Sequence, residues 1–145
     1  MFDFMKIYFK VMEENIGKLP EGEIGAVYAG CGQNCAKYGV LNEYKKLYEK
    51  CSGNMDSMFS SMHELGDVSG RVISSDSEYE MEFPRCLCQL YQEGYLSMPS
   101  HCECSKQSIL YVLNNLFPEK KVEVKIIGTV LSGNDKCVFR IKVLE

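Results

Sequence analysis

Residues 68–83 read V-S-G-R-V-I-S-S-D-S-E-Y-E-M-E-F, and this stretch decides the fold class. Through its second half apolar and acidic residues alternate, with Tyr79, Met81 and Phe83 on one side and Glu78, Glu80 and Glu82 on the other. Successive side chains of a strand point to opposite faces, so this period of two is a strand signature. Val68 to Ser74 and Ser77 to Phe83 read as two strands joined at Ser75-Asp76, and Pro84 limits the second. The three glutamates read as a solvated strand face, not as an acid/base pair.

Upstream the period is helical. Phe2, Met5, Phe9, Met12 and Ile16 recur at helical spacing over residues 2–16, and Gly17-Lys18-Leu19-Pro20 ends that helix. Gly22, Gly25 and Gly30 make residues 21–30 a loop or turn. From about Cys31 to Cys51, the positions Val40, Tyr44, Leu47, Tyr48 and Cys51 predict another helix, interrupted near Gly39. Asn54 caps a third, short helix with Met55, Met58, Phe59, Met62 and Leu65 along one side and Gly66 at its end. That methionine stripe reads as core.

Downstream, Ser105 opens a helix in which Ile109, Val112, Leu113 and Leu116 repeat at three and four residues, and Pro118 stops it. Val122 to Leu131 and Cys137 to Val143 form a last hairpin around Ser132-Gly133-Asn134-Asp135. The expected fold is α+β: a helical part over residues 1–66, then strand, strand, helix, strand, strand over residues 67–145. The sheet is antiparallel with one helix packed on it, in a single domain.

Composition bounds the function. A hydrophobic fraction of 46% and a charged fraction of 25% match an ordinary soluble domain, and a formal net charge of −4 gives no basic footprint for nucleic acid. No apolar run approaches the roughly 18 residues needed to cross a bilayer. The first residues, MFDFMKIYFKVMEE, carry Asp3 and Lys6 inside their apolar stretch, which argues against a secretory signal. A reducing, cytoplasmic setting is expected.

Cysteine usage points to chemistry. The chain has eight cysteines, and Cys86-Leu87-Cys88 and Cys102-Glu103-Cys104 form two closely spaced pairs. Adjacent C-x-C thiols would close very small disulfide rings, so free thiols working on a metal or in redox chemistry are the better reading. Zinc takes four thiolate or imidazole ligands, and each pair could supply two. In an extended segment Cys86 and Cys88 point the same way. Cys102 and Cys104 precede the helix at Ser105, where the helix dipole favours thiolate and makes them the more acidic pair.

Cys31 and Cys35, one helical turn apart, are alternative ligands, as are Cys137 and His101, a loop histidine beside the second pair. Cys51 reads as core and His63 as surface. An iron–sulfur cluster is a less favoured use of the same thiols. No G-x-S-x-G, Walker loop, dinucleotide fingerprint or H-E-x-x-H is present.

From Cys102 to Val143 the order is cysteine, amphipathic helix, V-x-V strand, Gly133-Asn134-Asp135-Lys136-Cys137 and Val138-Phe139-Arg140-Ile141. This resembles the closing segment of the vinyl-4-reductase domain family, where a helix leads to a hairpin with a G-D-x-x-C-x-F turn. Cys31-Gly32-Gln33-Asn34-Cys35-Ala36 with Cys86 to Ser105 also resembles an uncharacterised bacterial group carrying CG-x-x-CA and C-x-C…C-x-C-S. The C-terminal pattern is distantly similar to the aminothiazoline-carboxylate hydrolase group as well.

The first resemblance implies a small, often apolar ligand, a homodimer and, in some members, a structural zinc. Of that family's hairpin cysteines only Cys137 carries over. Thr129 stands where the other would be, so Cys102 or Cys104 would have to substitute.

Together these point to a domain that binds a small apolar molecule, its wall built from Met- and aromatic-rich helices. A structural zinc would tie the 86–104 loop to the sheet and to Cys137 or the Cys31/Cys35 segment. The alternative is a small enzyme. An open metal position near His101 would support hydrolysis, or a free Cys104 would support thiol chemistry.

Overall fold

The strands expected from the alternating stretch form where the period places them. In the computed structural model, which describes residues 3–144, β1 (Ser69–Ser74) and β2 (Glu78–Phe83) pair antiparallel through a turn in which Asp76 takes a positive φ of 61°. β3 (Lys121–Gly128) and β4 (Cys137–Leu144) make the second antiparallel pair. β4 then lies beside β2, giving a four-stranded antiparallel sheet in the order β1-β2-β4-β3. The chain is α+β, as its pattern predicts.

One face of the sheet is the core. Tyr79 sits opposite Ile141 and Met81 opposite Phe139, all buried, and α6 (Cys102–Leu116) covers them with Ile109, Val112 and Leu113. α4 (Met55–Ser60) packs Met58 and Phe59 against β1 and β2, and Phe59 stacks on Tyr79 at 4.4 Å between ring centroids. Asn54 caps α4 as expected, accepting from the Ser57 N–H at 2.9 Å. Asp56 accepts hydrogen bonds from Ser75, from the Tyr79 hydroxyl and from the Asp76 N–H, so α4 is pinned to the first hairpin. Those donors, Ser75 first, hold its carboxyl below the usual range.

The opposite face is not uniformly solvated. Glu80 is only 4% exposed, because its cross-strand neighbours Arg71 and Arg140 both fold over it. Arg140 Nη2 donates to one carboxylate oxygen at 2.7 Å and Arg71 Nη2 to the other at 2.9 Å. Burial works against its charge, but the guanidinium hydrogen bonds outweigh that and hold the Glu80 carboxyl below its ordinary value. Glu78 and Glu82 follow the expected pattern at the margin, paired with Arg140 and Lys136.

The helical part departs from expectation at two places, the first being the short third helix, where α4 ends at Ser60 and Met62–Leu65 form a separate 3-10 turn. α1 (Phe4–Ile16) forms behind an Asp3 cap, while Phe2 lies outside the described residues. Residues 21–30, expected as a loop, are instead the first two-thirds of α2 (Glu21–Cys35). A π-helical segment (Ala36–Val40) carries α2 straight into α3 (Leu41–Lys50), and it contains the interruption expected near Gly39. Of the α2 glycines, Gly22 and Gly30 have open space around them, and the one that packing requires is Gly32. A Cβ on Gly32 would stand 2.5 Å from the Cys104 carbonyl oxygen, so α2 lies backbone to backbone on α6. No helix among the described residues is long and apolar enough to cross a membrane.

Candidate functional site

Helices α1, α2 and α6, the end of the central strands at Phe83 and Cys137, and the 84–101 segment do not close on one another completely. Between them lies an apolar cavity of about 770 Å³. Phe9, Met12 and Ile16 form the α1 wall, Val27 and Tyr28 the α2 wall, and Ile109 and Val112 the α6 wall. The aromatic and methionine-rich lining matches the sequence reading, although of the Met55/Met58/Met62 stripe only Met62 reaches the cavity and the others are core.

Seven of the eight cysteines line this cavity, namely Cys31, Cys35, Cys86, Cys88, Cys102, Cys104 and Cys137. Cys51 is half-buried against the core, as expected. The helical periodicity of α2 places Cys31 and Cys35 one turn apart facing α6, while the turn before α5 (Gln89–Gln92) brings in Cys86 and Cys88. His101 comes with them. Its ring is 6% exposed, set edge-on against Tyr28 at 5.5 Å, and its Nε2 lies 3.1 Å from the Cys88 Sγ. It is a buried partner and not the loop histidine the sequence suggested; His63 is exposed.

The electrostatics reverse the expected order of the thiols. Burial raises Cys104 to about 12 and Cys102 to about 11, and neighbouring thiols add to the effect. α6 begins at Cys102 and not at Ser105, so both thiols lie in its first turn, and their burial makes this pair the least acidic of the site. Cys88 alone goes down. Burial would raise it too, but the His101 hydrogen bond overcomes this, with the Tyr91 and Leu90 amides adding to it. Cys35 and Cys86 are raised, chiefly by burial.

Two side-chain atoms in this neighbourhood are buried without a partner, the Ser100 Oγ and the His101 Nδ1. Thr129, where the resembled family has a cysteine, is buried with its hydroxyl engaged to Ser132 in a capping box.

Among the described residues no three His, Cys, Asp or Glu side chains converge closely enough to hold a metal ion. Comparison with known proteins adds little. No family model and no curated protein matches the chain. Among solved structures it is similar to a trafficking protein particle complex subunit 3 from Naegleria fowleri, described as covalently bound to palmitic acid. The identity is 13%, the TM-score is 0.43, and the match covers 97% of each chain.

One polar residue of the cavity wall escaped the sequence reading. Glu13 is 1% exposed on the inner face of α1, where its carboxylate accepts from the backbone N–H groups of Ser97, at 2.8 Å, and Met98. It ties the segment leading to His101 onto α1. The signal was present in the sequence, since Glu13 follows Phe9 by four residues and precedes Ile16 by three, on the apolar stripe.

Proposed function

We propose that this chain binds a small apolar molecule in the cavity between α1, α2 and α6. The observation that carries this reading is the cavity itself, about 770 Å³ and lined mainly by aromatic, methionine and aliphatic side chains. Binding pockets for small molecules run from roughly 300 to 1,000 Å³ and are mostly apolar with a few placed polar groups. Protein interiors are otherwise close-packed, so an apolar void of this size costs stability that a ligand would restore.

The test uses cis-parinaric acid as a fluorescent apolar probe. Val112→Trp fills the α6 wall, and affinity is expected to fall by about tenfold or more, which corresponds to about 1.4 kcal/mol. Ser105→Trp, at a more exposed lining position, does the same with less risk to the core. Ile127→Ala, on the exposed side of β3, leaves binding unchanged. Full affinity in both tryptophan variants would overturn the reading.

A structural zinc is a second reading, favoured by the number of thiols gathered around one cavity. It requires Cys86, Cys88, Cys102 and Cys104 to draw together around one ion. Elemental analysis of reduced, freshly purified protein decides it. One zinc per chain, lost in both Cys88→Ser and Cys104→Ser, supports a metal tie. Metal-free protein of unchanged stability excludes it.

A further inference from the structure

Beyond holding a ligand, the cavity has the parts of a reaction. We propose that Cys88 is a nucleophile that reduces an apolar organic hydroperoxide bound in the cavity, with His101 as its proton partner and Cys35 as the resolving thiol. The inference rests on the cavity being a ligand site, and it names the class of ligand.

Three observations converge. The Cys88 Sγ lies 3.1 Å from the His101 Nε2, and both residues line the cavity. An adjacent imidazole that can take the thiol proton is the usual means of activating a cysteine, because the thiolate is the reactive form. The wall around this pair is apolar, so it selects an oily reactant over water or hydrogen peroxide. Further thiols share the cavity with it: Cys35, Cys86, Cys102 and Cys104 all belong to the same lining. A hydrolytic or acyl-transfer site needs one thiol. Hydroperoxide reduction also begins on one thiolate, which becomes a sulfenic acid, and a second cysteine nearby resolves that acid as a disulfide, the arrangement of oxidation-sensitive sites. Of these four, Cys35 alone is exposed, and it is the last residue of α2, so its side chain has the most room to turn toward Cys88.

The chemistry balances. The Cys88 thiolate attacks the terminal oxygen of R–O–O–H, an S–O bond forms and the O–O bond breaks. The alkoxide leaves and takes the proton from the His101 imidazolium, giving R–OH and a sulfenic acid on Cys88. The Cys35 sulfur then attacks the Cys88 sulfur, and hydroxide departs with the Cys35 proton as water. In sum two thiols and one hydroperoxide give a disulfide, an alcohol and water, and an external dithiol returns the protein to its starting state.

The experiment mixes fully reduced, chelator-treated protein with one equivalent of cumene hydroperoxide or hydrogen peroxide without oxygen, followed by intact mass and peptide mapping. With cumene hydroperoxide the wild type loses about 2 Da within seconds and yields a Cys35–Cys88 disulfide, at a rate about tenfold or more above that with hydrogen peroxide. Cys35→Ser stops about 16 Da heavier, with dimedone trapped on Cys88. Cys88→Ser does not react on that timescale. His101→Gln reacts slowly at neutral pH and recovers as pH rises, which a merely structural defect would not produce.

Dimedone mapping of the wild type gives the same assignment should a variant fail to fold. Labelling elsewhere than Cys88, or equal rates with both peroxides, overturns the proposal. Parinaric acid binding measured on the same samples separates the two ideas. A probe that binds protein inert to hydroperoxide removes only the reaction, whereas loss of both removes the ligand site as well.

Discussion

Gly32→Ala is expected to destabilise the protein, while Gly30→Ala, on the same helix, is expected to stabilise it. Both positions lie inside α2, so both substitutions relieve the roughly 0.5–1 kcal/mol penalty of glycine in a helix interior. At Gly30 nothing lies within 4 Å of the new Cβ, and that gain stands alone. At Gly32 the methyl would meet the Cys104 carbonyl oxygen at 2.5 Å, the Gln107 Cβ at 2.8 Å and the Ser108 nitrogen at 2.9 Å. Two of these are backbone atoms that cannot rotate away, so α2 and α6 must separate.

Overpacking of this kind costs about 1–3 kcal/mol, which exceeds the helical gain and sets the sign. Urea unfolding checks it, with a lower midpoint for Gly32→Ala, a higher one for Gly30→Ala and a common slope. The consequence reaches the site. Because α2 carries Cys35 and α6 carries Cys104, prying the helices apart moves facing walls of the cavity, and parinaric acid affinity falls with stability. A Gly32→Ala variant as stable as the wild type would mean that the helices do not meet at this point.

The β2 strand was legible because its apolar and acidic side chains alternate in sequence. The alternation of Tyr79, Met81 and Phe83 with glutamates leaves a single register, and a one-residue slip would bury the acids. The helix α6 was legible for the corresponding reason at its own period. Two things were hidden. Gly22, Gly25 and Gly30 resemble a loop in a local reading, yet α2 runs through all three, and the glycine that its packing on α6 requires is Gly32. Glu80 looks solvated because its strand pattern is perfect, yet two arginines directly across the ladder bury it. Both are tertiary facts with no local signature.

The site was half legible. The cysteine spacing located the right segments, and seven of the thiols do share one cavity. Their chemical ranking could not be read from the chain. A helix start suggests acidic thiols, but at Cys102 and Cys104 burial opposes and wins. The acidic thiol is Cys88, and its cause is a contact with His101 made across thirteen positions of sequence.

Glu13→Ala is expected to loosen the segment leading to His101, with a loss of about 1–3 kcal/mol from backbone donors left without their charged acceptor. In the folded protein one carboxylate oxygen accepts from both the Ser97 and the Met98 N–H, and the second accepts from Ser97 at 3.1 Å. Glu13→Gln keeps an oxygen where the first one sits and should cost much less, so the pair of variants separates the lost acceptor from the lost charge. Hydrogen exchange checks the local claim. Protection at residues 96–101 should drop in the alanine variant and largely persist in the glutamine variant, while the amides of β2 and β4 keep theirs. Function should follow the same order. Leu96 and His101 line the cavity from this segment, so releasing it from α1 opens the wall that holds the Cys88 partner. Probe dissociation should quicken in Glu13→Ala, and the hydroperoxide reaction should slow as the contact between Cys88 and His101 is made less of the time. Unchanged exchange in Glu13→Ala would show that the segment is held by its apolar side chains, and that the buried carboxylate has no part in closing the site.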